Sequence, residues 1–228
     1  MEKSSLERAI SVLRAGKPIV VFDSAKRERE ADIMVHAKFA SAKMLRMLRT
    51  DAGGLVCLAT KGEVAKKLGL PFLADAYVRC GLGKLVYMKT KYGDKPAFSI
   101  AVNHRGTYTG ITDNDRSLSA REFEKIAAGI LGRAEFGKIA AGEWGRKEFE
   151  KEFKAPGHLQ LLIGKSLEER RGHTELGLAL CERAGLSPAI LMCEMLGKGK
   201  ALSNGKAKAY AKKNKIVFIE GSEIYGKE

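Results

Sequence analysis

Apolar residues recur at helical spacing through Leu6, Ala9, Ile10 and Leu13 of SLERAISVLRAGK, behind a serine and ahead of Gly16. A capping serine and a stopping glycine bracket a first helix. PIVVFD reads as a strand, and the apolar run ADIMVHAKF, resumed after a charged interruption, as a second. SAKMLRMLRTDAGG gives a helix ending at Gly53 and Gly54, LVCLA a strong strand, and EVAKKLGLP a short helix closed by Gly69 and Pro71. From Ala74 to Pro96 the pattern fades into what reads as a long loop, a length that in compact domains often marks a lid. AFSIAVNH resumes as a strand, and a Thr/Asp/Asn-rich loop leads to a helix from about Ser119. GRAEFGKIAAGEWGRKEFEKEF reads as a charged helical stretch broken by its glycines. PGHLQLLI (turn, then strand), HTELGLALCERAG (helix), PAILMCEML (strand), NGKAKAYAKKNK (helix) and IVFIE (strand) follow. Strands and helices intermix without internal repeat or composition break. The prediction is one domain over residues 1–228, α+β of the three-layer α/β type, with a mixed twisted sheet covered by helices.

Composition adjusts this picture only slightly. The 228 residues are 45% apolar and 30% charged, enough for a substantial core. No apolar stretch approaches the ~20 residues that span a bilayer, and the N-terminal residues lack an uninterrupted signal core, which favours a cytoplasmic protein. The formal charge of +14 would attract a polyanion. Its lysines and arginines are spread along the chain, however, and tryptophan occurs once, so no compact basic-aromatic module points to nucleic acid. A phosphorylated small substrate or plain solubility fits the charge equally well. Cys57, Cys80, Cys181 and Cys193 form no C-x-x-C pair and sit mostly in apolar surroundings, as buried free thiols would; neither structural zinc nor disulfides are expected.

Three clusters carry candidate chemistry. DSAKREREAD packs alternating charge between two strands. If the backbone there is extended, Glu28, Glu30 and Asp32 share one face and offer hard oxygens to Mg²⁺; a solvated charged turn would also account for the cluster. In RRGHTELGLALC, Arg170, Arg171 and Gly172 precede a helix opened by His173 and Thr174. A helix N-terminus with an arginine fork and a hydroxyl suits phosphate, and His173 could ligate a metal, while an ordinary capped helix with a surface histidine fits as well. The third cluster pairs His158, after a Pro-Gly turn, with Glu194, a carboxylate in an apolar strand. Glu194 must be hydrogen-bonded there or sit in a cleft with a raised pKa. Both are candidates for general acid/base work.

Together, DSAKREREAD, TGITDNDR, FKAPGHLQLL, RRGHTE and LMCEML resemble, in order and spacing, the 3,4-dihydroxy-2-butanone 4-phosphate synthases of riboflavin biosynthesis, nearest the stand-alone archaeal type. The resemblance covers nearly the whole chain. It implies conversion of ribulose 5-phosphate into 3,4-dihydroxy-2-butanone 4-phosphate and formate, with two Mg²⁺ (or Mn²⁺) ions per active site and no organic cofactor. It implies metal ligation by Glu28 and His173. Substrate contacts would come from Arg27, Glu28, Asp32, Arg170, Arg171, Gly172, His173 and Thr174, with Thr109 and Thr112 lining the pocket. His158 and Glu194 would be essential for catalysis, and Asp32 and Glu194 would shuttle protons. It also implies a homodimer whose active site is shared between subunits. Taken singly, the motifs also fit another divalent-metal sugar-phosphate isomerase or aldolase, and the charge an RNA-binding protein. One position departs from the family pattern: Arg29 stands where glycine or asparagine is common. It would either point away from the site or add a phosphate contact.

Overall fold

The computed structural model describes residues 3–86, 95–133 and 138–226. Its strands are β1 (Ile19–Phe22), β2 (Ala31–His36), β3 (Cys57–Lys61), β4 (Phe98–His104), β5 (Phe153–Gly164), β6 (Ala189–Glu194) and β7 (Val217–Glu220). They form one mixed sheet in the order β4-β5-β3-β6-β2-β1-β7. The pairs β1–β7 and β3–β5 are parallel, and the other neighbours antiparallel. The helices are α1 (Ser5–Arg14), α2 (Ala42–Met47), α3 (Gly62–Leu68), α4 (Leu73–Arg79), α5 (Asp113–Arg133), α6 (Lys138–Glu152), α7 (His173–Arg183), α8 (Asn204–Lys213) and α9 (Gly221–Tyr225).

Strand alternation divides the buried side chains between two cores. Val20 and Phe22 of β1, Ile33 and Val35 of β2, and Leu191 and Cys193 of β6 pack with Leu45, Phe123, Ile130, Phe149, Ala207 and Ala211 from α2, α5, α6 and α8. Ile19 and Val21, Met34, and Ile190 and Met192 face the other way, onto Ala9 and Leu13 of α1, Leu176 and Leu180 of α7, and Ile224 of α9. The result is the three-layer α/β arrangement with helices on both faces.

Several expectations change. The helix expected from about Ser119 begins at Asp113, because Thr112 Oγ1 accepts the Asp115 N–H at 3.1 Å and caps it. The glycines of α6 do not break it between Lys138 and Glu152. Part of the expected 74–96 loop is helical, through α4 and a 3₁₀ turn at Gly83–Leu85, and residues 87–94 lie outside the described residues. The PGH turn belongs to β5. Three cysteines are buried and free as expected, but Cys80 is exposed. Among the described residues no helix is long and apolar enough to cross a membrane.

Candidate active site

The charged interruption after β1 is a folded loop organised by Asp23. Its buried carboxylate accepts the Glu28 N–H on Oδ2 at 2.8 Å and the Glu30 N–H on Oδ1 at 3.1 Å. The backbone is therefore not extended through the cluster. At Arg29 it turns left-handed, with φ +62°, so Glu28 and Glu30 still face the same cavity while Arg29 leaves it. Arg29 Nε instead donates to the Ala25 carbonyl at 2.7 Å. Glycine and asparagine adopt this conformation most readily, which is the physical reason for either at that position. Asp23 belongs to none of the expected site residues; its signal in the sequence is a carboxylate at a strand end, followed by a loop rich in backbone donors.

Opposite this loop, α7 begins at His173. The Glu175 side chain reaches back to accept the Gly172 N–H at 3.1 Å and receives Arg170 Nη1 at 2.6 Å and the Lys165 N–H at 3.1 Å. One buried carboxylate thus fixes both the helix start and the arginine before it. His173 places Nδ1 3.1 Å from Glu28 Oε2 and Nε2 3.1 Å from the Glu30 carbonyl. A carbonyl can only accept, so Nε2 carries a proton and Nδ1 is the nitrogen that meets the carboxylate.

The cavity between these elements holds about 270 Å³. Glu28, Glu30, Asp32, Arg170, His173, Thr174 and Glu194 supply its polar lining, and Cys57 and Met192 part of its apolar wall. Glu194 Oε2 accepts the Leu55 N–H at 2.8 Å, which meets the expectation of a hydrogen-bonded carboxylate. Asp32 is 2% exposed, and its Oδ1 has no hydrogen-bond partner. Burial pushes the Asp32 carboxyl up to about 7; His173 opposes this, and Glu194, Glu28 and Glu30 reinforce it. For His173, burial disfavours the charged ring, but Asp32, Glu28 and Asp23 together prevail and raise it to about 9. Burial and Glu28 also raise Glu30.

Asp23, Glu28 and His173 bring ligand atoms within 4.8 Å of one another. Both Asp23 oxygens are engaged by loop N–H groups, so Glu28 and His173 Nδ1 are the better pair for a cation; Asp32 Oδ1, without a hydrogen bond, lies 3.6 Å from the protonated Nε2 of the same ring. Such a donor set of carboxylate oxygens and one imidazole fits a hard divalent ion. Arg27 Nη1 lies 2.9 Å from Glu28 Oε1 and pairs with that carboxylate.

Not every expected residue joins this cavity. Arg171 lays its guanidinium over the Tyr225 ring, 4.6 Å from the centroid. Thr109 and Thr112 are exposed and bound to Asp115, the first through its side chain and the second through its N–H. His158 is exposed on β5, where Asn103 holds it.

Fold and site define a three-layer α/β protein with a carboxylate–histidine centre suited to a divalent cation. Residues 7–226 match the family model for 3,4-dihydroxy-2-butanone 4-phosphate synthase. The chain belongs to that family. It is 41% identical over 231 residues to the 3,4-dihydroxy-2-butanone 4-phosphate synthase of Methanosarcina acetivorans, covering 96% of this chain and 89% of that one. The Methanothermobacter thermautotrophicus enzyme of the same name is 38% identical, covering 96% and 93%. A crystal structure of a 3,4-dihydroxy-2-butanone 4-phosphate synthase in complex with two magnesium ions shares the fold, with a TM-score of 0.72 and 22% identity over 97% of this chain and 94% of that one.

Proposed function

We propose that the protein, as a single catalytic domain over residues 1–228 acting in the cytoplasm, converts D-ribulose 5-phosphate into 3,4-dihydroxy-2-butanone 4-phosphate and formate for riboflavin biosynthesis. It is then a lyase that needs Mg²⁺ or Mn²⁺, two ions per site, and no organic cofactor. The observation that carries this reading is the Glu28–His173 contact in a cavity where a buried Asp32 oxygen has no hydrogen-bond partner. Family membership and the magnesium in the structural relative support it.

When bound, the ions supply stabilisation of negative charge developing on the sugar oxygens. The chain's own residues do the rest. Arg170 and Thr174 at the start of α7 hold the phosphate through a guanidinium and a hydroxyl, with Gly172 giving it close approach to the helix start. Asp32, with a carboxyl near neutrality, takes the proton next to the ketone and returns it later, and Glu194 shares that traffic. Dehydration and skeletal rearrangement follow, and water is taken up again as one carbon leaves as formate, so that no water is lost overall.

The remaining residues, His158, Thr109 and Thr112, reach the substrate from a second copy of the chain. Within one chain they lie off the cavity, and two large apolar side chains beside Thr109, Tyr108 (94% exposed) and Ile111 (50% exposed), lie open as an interface would leave them. The test is incubation with ribulose 5-phosphate and Mg²⁺. Formate and the four-carbon phosphate should form in equal amounts and cease on chelation; absence of formate would sink the assignment.

A further inference from the structure

We propose that Asn103 sets the tautomer of His158, so that this ring offers the substrate an Nε2–H and not a lone pair. The inference rests on the reading that His158 faces substrate. Between Val102 and Asn103 the β4–β5 register shifts: Val102 pairs with Leu159, but Asn103 pairs with Lys154. Residues 155–158 are left without partners in that register. The Asn103 side chain takes up the His158 N–H, which donates to Oδ1 at 2.8 Å. An N–H cannot donate to an amide NH₂, so this bond fixes which end of the amide is which. The other end, Nδ2, then lies 3.1 Å from His158 Nδ1. An NH₂ can only donate, so Nδ1 must accept, and the ring proton resides on Nε2.

The amide is held from both sides. Asn103 is 4% exposed, and Gly110 of the TGIT loop packs so closely on it that any Cβ there would strike the amide. Gly110 also has φ +94°, so neither demand admits a side chain. Asn103 therefore ties together the two segments, 109–112 and 155–158, that carry Thr109, Thr112 and His158. It is a positioning residue. It leaves His158 to donate a hydrogen bond to a substrate oxygen through Nε2, while its Nδ1 is occupied.

The test is long-range ¹H–¹⁵N correlation on the histidine-labelled protein near pH 8, with His158→Gln used to assign the ring signals. The wild-type ring should show a protonated Nε2 and an unprotonated Nδ1; the reverse pattern would overturn the proposal without any variant. In Asn103→Asp the carboxylate can accept from both the backbone and Nδ1, and the proton should move to Nδ1. An unchanged tautomer there would also overturn it. The kcat of the same variant should fall roughly 10²-fold with KM little changed. Unchanged kcat after a switched tautomer would overturn the catalytic use of the Nε2–H. The spectrum does not depend on turnover, so a protein inactive on ribulose 5-phosphate would refute the function and leave the tautomer result to be judged alone.

Discussion

Asp32 and Glu194 stand directly opposite each other across the antiparallel β2–β6 pair. Cross-strand partners project from the same face, so two carboxylates meet at the mouth of one cavity. Like charges placed this way are destabilising by about 0.2–1 kcal/mol, and here burial adds to the strain. A folded chain keeps such a pair where a bound cation or a travelling proton relieves it.

Glu194→Gln separates these effects. The amide oxygen can still accept the Leu55 N–H, while one charge is removed from beside Asp32. Denaturant unfolding with chelator present should show equal or higher stability, by up to about 1 kcal/mol. Formate production should fall by about 10² to 10⁴. A variant that is both less stable and fully active would contradict the placement of this carboxylate.

Metal binding should depend on pH through His173. With its pKa raised to about 9, the ring carries its proton at neutral pH, and an ion can take Nδ1 only by displacing it. Mn²⁺ affinity should therefore climb as pH rises from 7 toward 9, and calorimetry in buffers of different ionisation enthalpy should show proton release. His173→Ala should lose both the affinity and most of the released proton.

A second histidine governs stability in acid. His36 is fully buried and its Nε2 lies 2.7 Å from the Ser187 carbonyl; burial lowers its pKa from 6.5. The unfolded ring takes a proton at a pH where the folded ring does not. Its stabilisation is therefore complete above pH 6.5 and is lost as pH falls from there through the folded pKa. The slope is at most about 1.4 kcal/mol per pH unit. Urea midpoints for wild type and His36→Gln, compared from pH 8 to 5, should converge as the pH drops.

A shared active site predicts complementation. Glu28→Ala and His158→Ala should each be inactive alone. Unfolded together and refolded, they form hybrids in which one of two sites has both residues intact, and about a quarter of wild-type turnover should return. If activity stays at the level of the single variants, His158 does not act across a subunit boundary.

Much of the fold was legible because its signals are local. A serine caps the first helix as expected, with Ser4 and Glu7 closing a reciprocal cap, and the strands fall where the apolar runs predicted. The errors arose where a local signal had a tertiary purpose. Gly145 reads as a helix breaker, but a Cβ there would press on Ile130 Cδ1 at 2.6 Å, so this glycine lets α5 and α6 close together. At the start of α5, Thr112 and Asp115 are a threonine-x-x-acid cap hidden in a loop-like composition. No residue of α4 is buried, so the core-facing stripe that announces a helix is absent. In the site, Glu28, Asp32, His173 and Glu194 were found through residue type and order. Asp23 and Glu175 were missed as functional residues because each works on backbone N–H groups, and chemistry-bearing motifs do not advertise that work.

The left-handed turn at Arg29 makes this motif position a torsional filter. Its side chain points back toward Ala25, so neither charge nor size matters to the cavity. Saturation mutagenesis there should rank variants by tolerance of positive φ, with glycine, asparagine and aspartate at the top and valine and isoleucine at the bottom. Lysine and glutamate should score alike. A ranking by charge would mean that the guanidinium reaches the substrate after all.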